Sequence, residues 1–90
     1  MANAKMDESM RDVKRRLEQR NQFRVDLGQR IVRMRIWRGI DSSTLCRMLG
    51  WNHDDLFRIE HGFADVTLLE GAQLAAALGC SLNELIGDLV

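Results

Sequence analysis

The chain has 90 residues, 46% of them hydrophobic and 29% charged, which is enough for one compact domain with a modest core. Its 13 basic and 13 acidic side chains cancel, so the composition excludes a uniformly basic nucleic-acid-binding protein, and any such function must come from local charge. No apolar stretch approaches the roughly 18 residues of a membrane span, and the N-terminal segment is too charged for a signal peptide. We therefore expect a soluble, cytoplasmic protein with no membrane partner.

Helix-forming residues dominate the composition. Pro is absent and aromatic residues are few, at three Phe and two Trp, which predicts an all-α fold. The two cysteines, Cys46 and Cys80, are too far apart in the sequence for a redox pair or a metal-binding knuckle, so we expect both to be buried thiols.

The first segment, residues 1–22, carries six basic and four acidic side chains. Its apolar residues recur with the rhythm of a heptad seam: Met6, Met10, Val13 and Leu17. Continuing that register places Arg20 and Arg24 in the seam, which predicts a separate arm or a kinked extension with the break near Asn21. This extension is either a helical arm that binds a second copy or a protein partner, or a partly disordered tail.

Capping residues and glycines divide the rest of the chain into helices. Side chains able to cap a first turn precede four segments: Asp41, Asn52, Thr67 and Ser81. Glycines suited to the ends of helices are equally regular: Gly39, Gly50, Gly62 and Gly79. These signals predict a domain over 23–90 with five helices, at about 24–38, 42–49, 53–61, 68–78 and 82–88.

Two of these segments, 42–49 and 53–61, have the spacing of a helix-turn-helix. The turn between them is Leu49-Gly50-Trp51-Asn52. Small or apolar residues occupy the positions where the two helices would meet each other and the core: Leu45, Cys46, Leu49, Leu56 and Ile59.

Four motifs run through residues 23–87 in a defined order. They are Leu27-Gly28-Gln29-Arg30-Ile31 with Arg35 and Gly39, Leu45-Cys46-x-x-Leu49-Gly50, Leu56-x-x-Ile59-Glu60-x-Gly62, and Leu74-Ala75-x-Ala77-Leu78-Gly79-x-Ser81-x-x-Glu84-Leu85. In order and spacing they resemble the phage-repressor-like helix-turn-helix family, the XRE/Cro group of bacterial and phage transcription regulators. The resemblance implies a five-helix, lambda-repressor-like DNA-binding domain. It also implies a structural ion pair between Arg35 and Glu60.

The resemblance further implies a set of contacts to double-stranded DNA. Members of this family place the third helix in the major groove and the N-terminus of the second helix on phosphate. The matching base-reading residues are Asn52, His53, Asp54, Phe57 and Arg58. The matching phosphate contacts are Ser42 and Ser43. The basic residues available to supplement them are Arg38, Arg47, Lys14, Arg15, Arg16 and Arg20.

Acidic and aromatic residues around the third helix support an alternative function. Asp54, Asp55 and Asp65 disfavour phosphate, while Phe57 and Phe63 are apolar where polar residues would be unremarkable. A helix-turn-helix fold whose third helix binds a protein partner instead of DNA would explain both features.

Several residues are assigned structural roles. We expect Asp55 to be a capping partner of Asn52, and His61 to interact favourably with the C-terminal end of its helix. The remaining aromatic residues are expected to pack: Trp51 as a plug between helices, and Trp37 and Phe23 as seals of the first helix.

The leading interpretation is a sequence-specific transcription regulator, either repressor or activator, that binds a pseudo-palindromic operator as a homodimer. The predicted dimer interface is the apolar end of the chain: Leu82, Leu85, Ile86, Leu89 and Val90. We expect no enzyme activity, cofactor or metal, because the sequence has no Gly-rich phosphate loop and His53 and His61 have no third ligand at suitable spacing.

Overall fold

The computed structural model describes the backbone of residues 3–90 and the side chains from residue 8 onward. All five elements are α-helices: α1 (Asn3–Trp37), α2 (Ser42–Leu49), α3 (His53–Glu60), α4 (Leu68–Leu78) and α5 (Leu82–Ile86). The structure confirms the predicted five-helix, all-α fold. The side chain of Met6, predicted to belong to the heptad seam, lies outside the described residues.

The first helix is longer than predicted. It runs without a break for 35 residues, about 52 Å at the rise of an α-helix, so the expected interruption near Asn21 is wrong. Charged residues at seam positions do not stop a helix, because arginine is a good helix former and no proline interrupts the segment. Arg24 in addition donates to the Asp65 carboxylate at 2.7 Å, which ties α1 to the α3–α4 loop. Residues 8–22 of α1 are all exposed to solvent, and we call them the arm.

One apolar core joins all five helices. Its fully buried members are Leu27 and Ile31 from α1, Leu45 and Cys46 from α2, Leu56 and Ile59 from α3, Leu74, Ala75 and Leu78 from α4, and Leu85 from α5. Burial raises the pKa of the Cys46 thiol, as expected for a small residue packed in an apolar site. Cys80 is half-buried beside this core, and its pKa is raised for the same reason.

The aromatic residues divide between the core and the surface. Phe23 and Trp51 are half-buried and pack against the core. Trp37 does not seal the first helix, because 84% of its surface is exposed. It lies in the last turn of α1, on the side away from the core, with the Arg38 guanidinium 6.0 Å from its ring centre.

Close backbone contact fixes α3 against α1. A Cβ placed on Gly28 would clash with the carbonyl oxygen of Glu60 and would lie 2.6 Å from that of Ile59. At the end of α3, Gly62 has a φ of 77° and packs against Val25. The last turn of α3 can therefore approach α1 this closely only because α1 carries glycine at that point.

A charged contact holds the same two helices together. Arg35 donates to both carboxylate oxygens of Glu60, from Nε at 2.9 Å and from Nη2 at 3.3 Å, and from Nη1 to the Ile40 carbonyl at 3.2 Å. The side chains of Arg35 and Glu60 are only 15% and 7% exposed. This is the pair that the family resemblance implies.

The Gly28→Ala variant should be destabilised by about 1–3 kcal/mol, because the added methyl group meets rigid backbone rather than a movable side chain. Urea denaturation followed by far-UV circular dichroism measures the change. Gly71→Ala in α4 is the matched control, since its Cβ would meet the end of the Leu82 side chain at 3.2 Å. The control should lose little or gain stability from the better helix propensity of alanine. Equal effects at both positions would contradict the close-approach explanation.

The Glu60→Ala variant should lose on the order of 3 kcal/mol of unfolding free energy, because it leaves the half-buried Arg35 guanidinium without its carboxylate. The double variant Arg35→Met, Glu60→Leu removes both charges and should recover most of that loss. Both values come from the same urea titration. A double variant as unstable as Glu60→Ala would show that the ion pair itself, rather than the uncompensated charge, supplies the stability.

Candidate nucleic-acid interface

The outward face of α3 is formed by the residues that the helical period turns away from the core. Leu56 and Ile59 are buried, and Glu60 is bound to α1. The remaining side chains of the helix are exposed: His53, Asp54, Asp55, Phe57 and Arg58. Because the inner side of α3 is fixed, this exposed set has a defined direction on the domain surface.

Asn52 caps α3. Its side-chain oxygen accepts from the backbone N–H of Asp55 at 2.8 Å, so this oxygen is already occupied. Among the described residues, the Asp55 carboxylate makes no reciprocal hydrogen bond to Asn52. The expected capping role of Asp55 is therefore filled by its backbone, and its carboxylate remains exposed at the start of the helix.

Asp54 and Arg58 form an ion pair along the outer face of α3. The Arg58 Nε lies 3.1 Å from an Asp54 carboxylate oxygen, with both side chains more than half exposed. An exposed pair one helical turn apart adds little stability. It does offset the negative charge of Asp54, and it holds the guanidinium on the side of α3 that faces outward.

Three aromatic rings lie in a stack beside this pair. The centroids of Phe57 and His61 are 3.9 Å apart with a 24° angle between ring planes, and His61 and Phe63 follow at 6.2 Å and 19°. Nδ1 of His61 is 2.8 Å from the Phe57 carbonyl oxygen, which agrees with a role at the end of the helix. Sequence reasoning missed the stack, although Phe57 and His61 are one helical turn apart. Phe57 and Phe63 remain 53% and 69% exposed.

The N-terminus of α2 lies close to the first turns of α3. Ser42, His53 and Phe57 line one shallow depression, with Arg35 and Glu60 at its base. Ser43 is exposed next to it. The structure therefore brings one of the two predicted phosphate-binding serines, Ser42, together with part of the predicted base-reading set, whereas Ser43 is not among the lining residues.

Asp41 adds a negative charge at the same end of α2. Its side chain caps the helix by accepting from the Thr44 N–H at 2.7 Å. That hydrogen bond lowers the pKa of Asp41, so the carboxylate stays ionised. A phosphate at this helix end would have to lie beside it.

The predicted basic phosphate contacts do not form one patch. Arg38 donates to the Gly79 carbonyl at 3.2 Å, so its guanidinium lies at the C-terminal end of α4. Arg47 projects outward from α2, donating to Thr44 Oγ1 at 3.2 Å. Arg15 is paired with Asp12 at 2.6 Å on the arm, and Arg16 points about 100° away from it around the helix.

The side of the arm in line with α3 has little positive charge. Val25 packs against the end of α3, and helical spacing places Asn21, Glu18 and Lys14 on the same side of α1. Lys14 and Glu18 lie 4.0 Å apart as an exposed pair. Of the basic arm residues predicted to supplement phosphate binding, Lys14 lies on this side, whereas Arg15 and Arg16 lie on other sides of the helix by helical spacing. Their contact with phosphate stays a prediction.

A second exposed apolar surface lies between α1, α4 and α5. A groove of about 200 Å³ is lined by residues that include Phe23, Val66, Leu68, Leu82 and Ile86. Of the predicted dimer contacts, Leu82 and Ile86 line this groove and are half-buried. Outside its lining, Leu89 is half-buried and Val90 is 86% exposed. Leu85 has no exposed surface, because its side chain completes the core, so it cannot form part of an interface.

No group of three or more potential metal ligands occurs among the residues whose side chains are described. Likewise, none of the described helices is both long and apolar enough to cross a membrane.

Comparison with known proteins reveals a similar solved structure. The crystal structure of the restriction-modification controller protein C.AhdI from Aeromonas hydrophila superposes with a TM-score of 0.66 and is 31% identical, covering 69% of this chain and 94% of that one. Protein-family models and curated protein sequences give no match. Five helices in the expected order, a third helix fixed by Gly28 and Glu60, and this similarity along nearly all of C.AhdI place the chain in the phage-repressor-like helix-turn-helix family of transcription regulators.

Proposed function

We propose that this protein is a DNA-binding transcription regulator that inserts α3 into the major groove. The observation that carries the proposal is the exposed face of α3, which presents His53, Phe57 and Arg58 from a helix fixed by its inner side. Arg58 can donate to guanine, and the Phe57 ring can lie against a thymine methyl group. The similar structure, a restriction-modification controller protein, supports a regulatory role.

The negative charges of two acidic residues at the interface are each balanced by an arginine of the same chain. Asp54 is paired with Arg58, and Asp65 with Arg24 at 2.7 Å. The hydrogen bond from Arg24 lowers the pKa of Asp65, so the carboxylate stays ionised. The guanidinium beside it offsets its negative charge. These pairs reduce the repulsion between the acidic side chains and DNA phosphate that the composition suggests. They therefore favour DNA over a protein as the ligand of α3.

Phosphate contacts are proposed at the start of α2, from Ser42 and Ser43 and their backbone N–H groups, with Arg47 as the nearest basic addition on that helix. With few cations at the interface, non-specific affinity should be modest. Base contacts must then supply a larger share of the binding free energy than in a strongly basic relative.

A homodimer is proposed to complete the DNA-binding unit. One copy of α3, with eight residues, reaches too few base pairs for useful specificity, whereas two copies related by a two-fold axis read both halves of a pseudo-palindromic operator. The apolar groove beside α5 supports this assembly, with Leu82, Ile86, Leu89 and Val90 as contacts.

The Arg58→Ala variant should lose discrimination at one position of the operator half-site, about 1–3 kcal/mol, if Arg58 reads guanine. The operator is first obtained by selecting genomic fragments bound by the full-length protein. Affinity is then measured by fluorescence anisotropy for that site and for its single-base variants. Arg33→Ala, an exposed arginine of α1, is the matched control and should leave the base preference unchanged.

The same titrations test the function itself. Binding of the wild-type protein should weaken as salt is raised, with a shallow slope that reflects few phosphate contacts. Failure to bind any genomic duplex at low salt would overturn the proposal and favour α3 as a protein-binding surface.

The Val90→Asp, Ile86→Gln double variant should shift the protein from dimer to monomer, because it places polar groups on the proposed interface. Sedimentation equilibrium measures the association constant, and circular dichroism checks that the fold is kept. Met48→Gln, at an exposed methionine on α2, is the control and should remain dimeric. A wild-type protein that is monomeric both free and on its operator would contradict the homodimer.

A further inference from the structure

The arm carries an apolar seam that none of the residues with described side chains covers. Met10, Val13 and Leu17 are 66%, 54% and 46% exposed, and they lie on one side of α1 by helical spacing. Every described residue of the arm is exposed, so no other helix packs against it. An isolated apolar stripe on a helix that projects from a compact domain is typical of a surface that meets another helix.

Charged side chains border the seam on both sides. Helical spacing places Arg16 along one edge and Arg20 at the next position of the seam itself. Lys14 lies along the other edge, where it is paired with Glu18 at 4.0 Å. The acidic residues Glu8 and Asp12 fall on the opposite side of the arm. The surface is therefore an apolar stripe with a cationic edge at Arg16 and Arg20 and a charge-paired edge at Lys14.

A second copy of the arm fits this surface poorly. In a parallel pair, Arg20 occupies the next seam position after Leu17 and would face Arg20 of the other copy. In an antiparallel pair that crosses at Val13, Lys14 would lie near Lys14 of the other copy. Both arrangements bring like charges together at the contact, which is destabilising.

Within the chain, a carboxylate already binds Arg24 at the base of the seam. Asp65 accepts a hydrogen bond from Arg24 at 2.7 Å, and this contact holds the pKa of Asp65 below its ordinary value, with a smaller contribution from the charge of Arg20. This edge of α1 therefore has the geometry to bind carboxylates.

We propose that the arm is a docking site for an acidic amphipathic helix of a different protein. The apolar residues of that helix would cover Met10, Val13 and Leu17, while its Glu or Asp side chains would pair with Lys14, Arg16 and Arg20. This function is separate from DNA binding by α3. It assigns the basic residues of the arm to protein recognition, because phosphate would leave the apolar seam uncovered.

The test uses the full-length protein and two designed helical peptides of about three heptads, with leucine at the seam positions. One peptide has Glu at the flanking positions and the other has Lys. Fluorescence anisotropy should show binding of the Glu-flanked peptide, at least about tenfold tighter than the Lys-flanked one, and weakening at high salt. Equal binding of the two peptides, or no binding of the Glu-flanked peptide, would overturn the proposal.

Two variants separate the apolar and the electrostatic contributions. Val13→Gln with Leu17→Gln should weaken Glu-flanked peptide binding by about tenfold or more, since each side chain loses its apolar burial. Arg16→Glu with Arg20→Glu keeps the seam and should reverse the preference toward the Lys-flanked peptide. Gln19→Ala, on the far side of the arm, is the control and should bind as the wild type does. If the charge-reversed variant does not prefer the Lys-flanked peptide, the electrostatic part of the proposal is wrong. This result stands even if the apolar variant unwinds the arm.

Two further measurements on the seam variant distinguish other occupants. If Val13→Gln with Leu17→Gln reduces self-association of the free protein, the seam binds a second copy and the proposal is wrong. If it instead reduces affinity for non-specific duplex DNA, the arm contacts DNA, which also overturns it. Unchanged self-association and unchanged DNA affinity, with loss of peptide binding, support a heterologous protein partner.

Discussion

The approach of α3 to α1 at Gly28 is the constraint on which the rest of the structure depends. A helix of eight residues is too short to be stable by itself, so its position must come from tertiary contacts. The backbone contact at Gly28 sets the distance between the two helices, and the Arg35–Glu60 pair sets their rotation. Leu56 and Ile59 then face the core, and the outer face of α3 follows from the helical period. A single close contact thus decides which side chains are presented to a ligand.

Intrachain ion pairs change what the composition implies about charge. The chain has no net charge, and several acidic residues lie around the functional helix. The pairs Asp54–Arg58, Asp65–Arg24 and Asp88–Arg30 each bring a carboxylate within about 3 Å of a guanidinium. As exposed pairs they add little stability. Their effect is on the local field, since a paired carboxylate repels phosphate far less than a free one.

The features predicted from the sequence are those determined locally. Caps such as Asn52 and Thr67, the helix-ending glycines, and the spacing of Leu45 and Ile59 define helices and a turn within a few residues, so the fold could be predicted. Properties that depend on where a side chain points could not be predicted from the sequence. The burial of Leu85 and the exposure of Trp37 depend on packing between helices. The prediction of a break at Asn21 was wrong for a different reason. Polar residues in an apolar seam change which surface a helix can pack against, but they do not interrupt the helix.

The continuity of α1 links the two proposed surfaces mechanically. Val13, at the centre of the apolar seam, precedes Gly28 by four helical turns, which is about 22 Å of uninterrupted helix. A flexible linker would let a partner on the arm move freely relative to α3. A continuous helix instead holds that partner at a fixed distance and rotation from α3. Because α1 contributes Leu27 and Ile31 to the core, any bend that changed this geometry would have to occur in the arm itself, before Phe23. The same helix therefore positions α3 and orients whatever binds the arm.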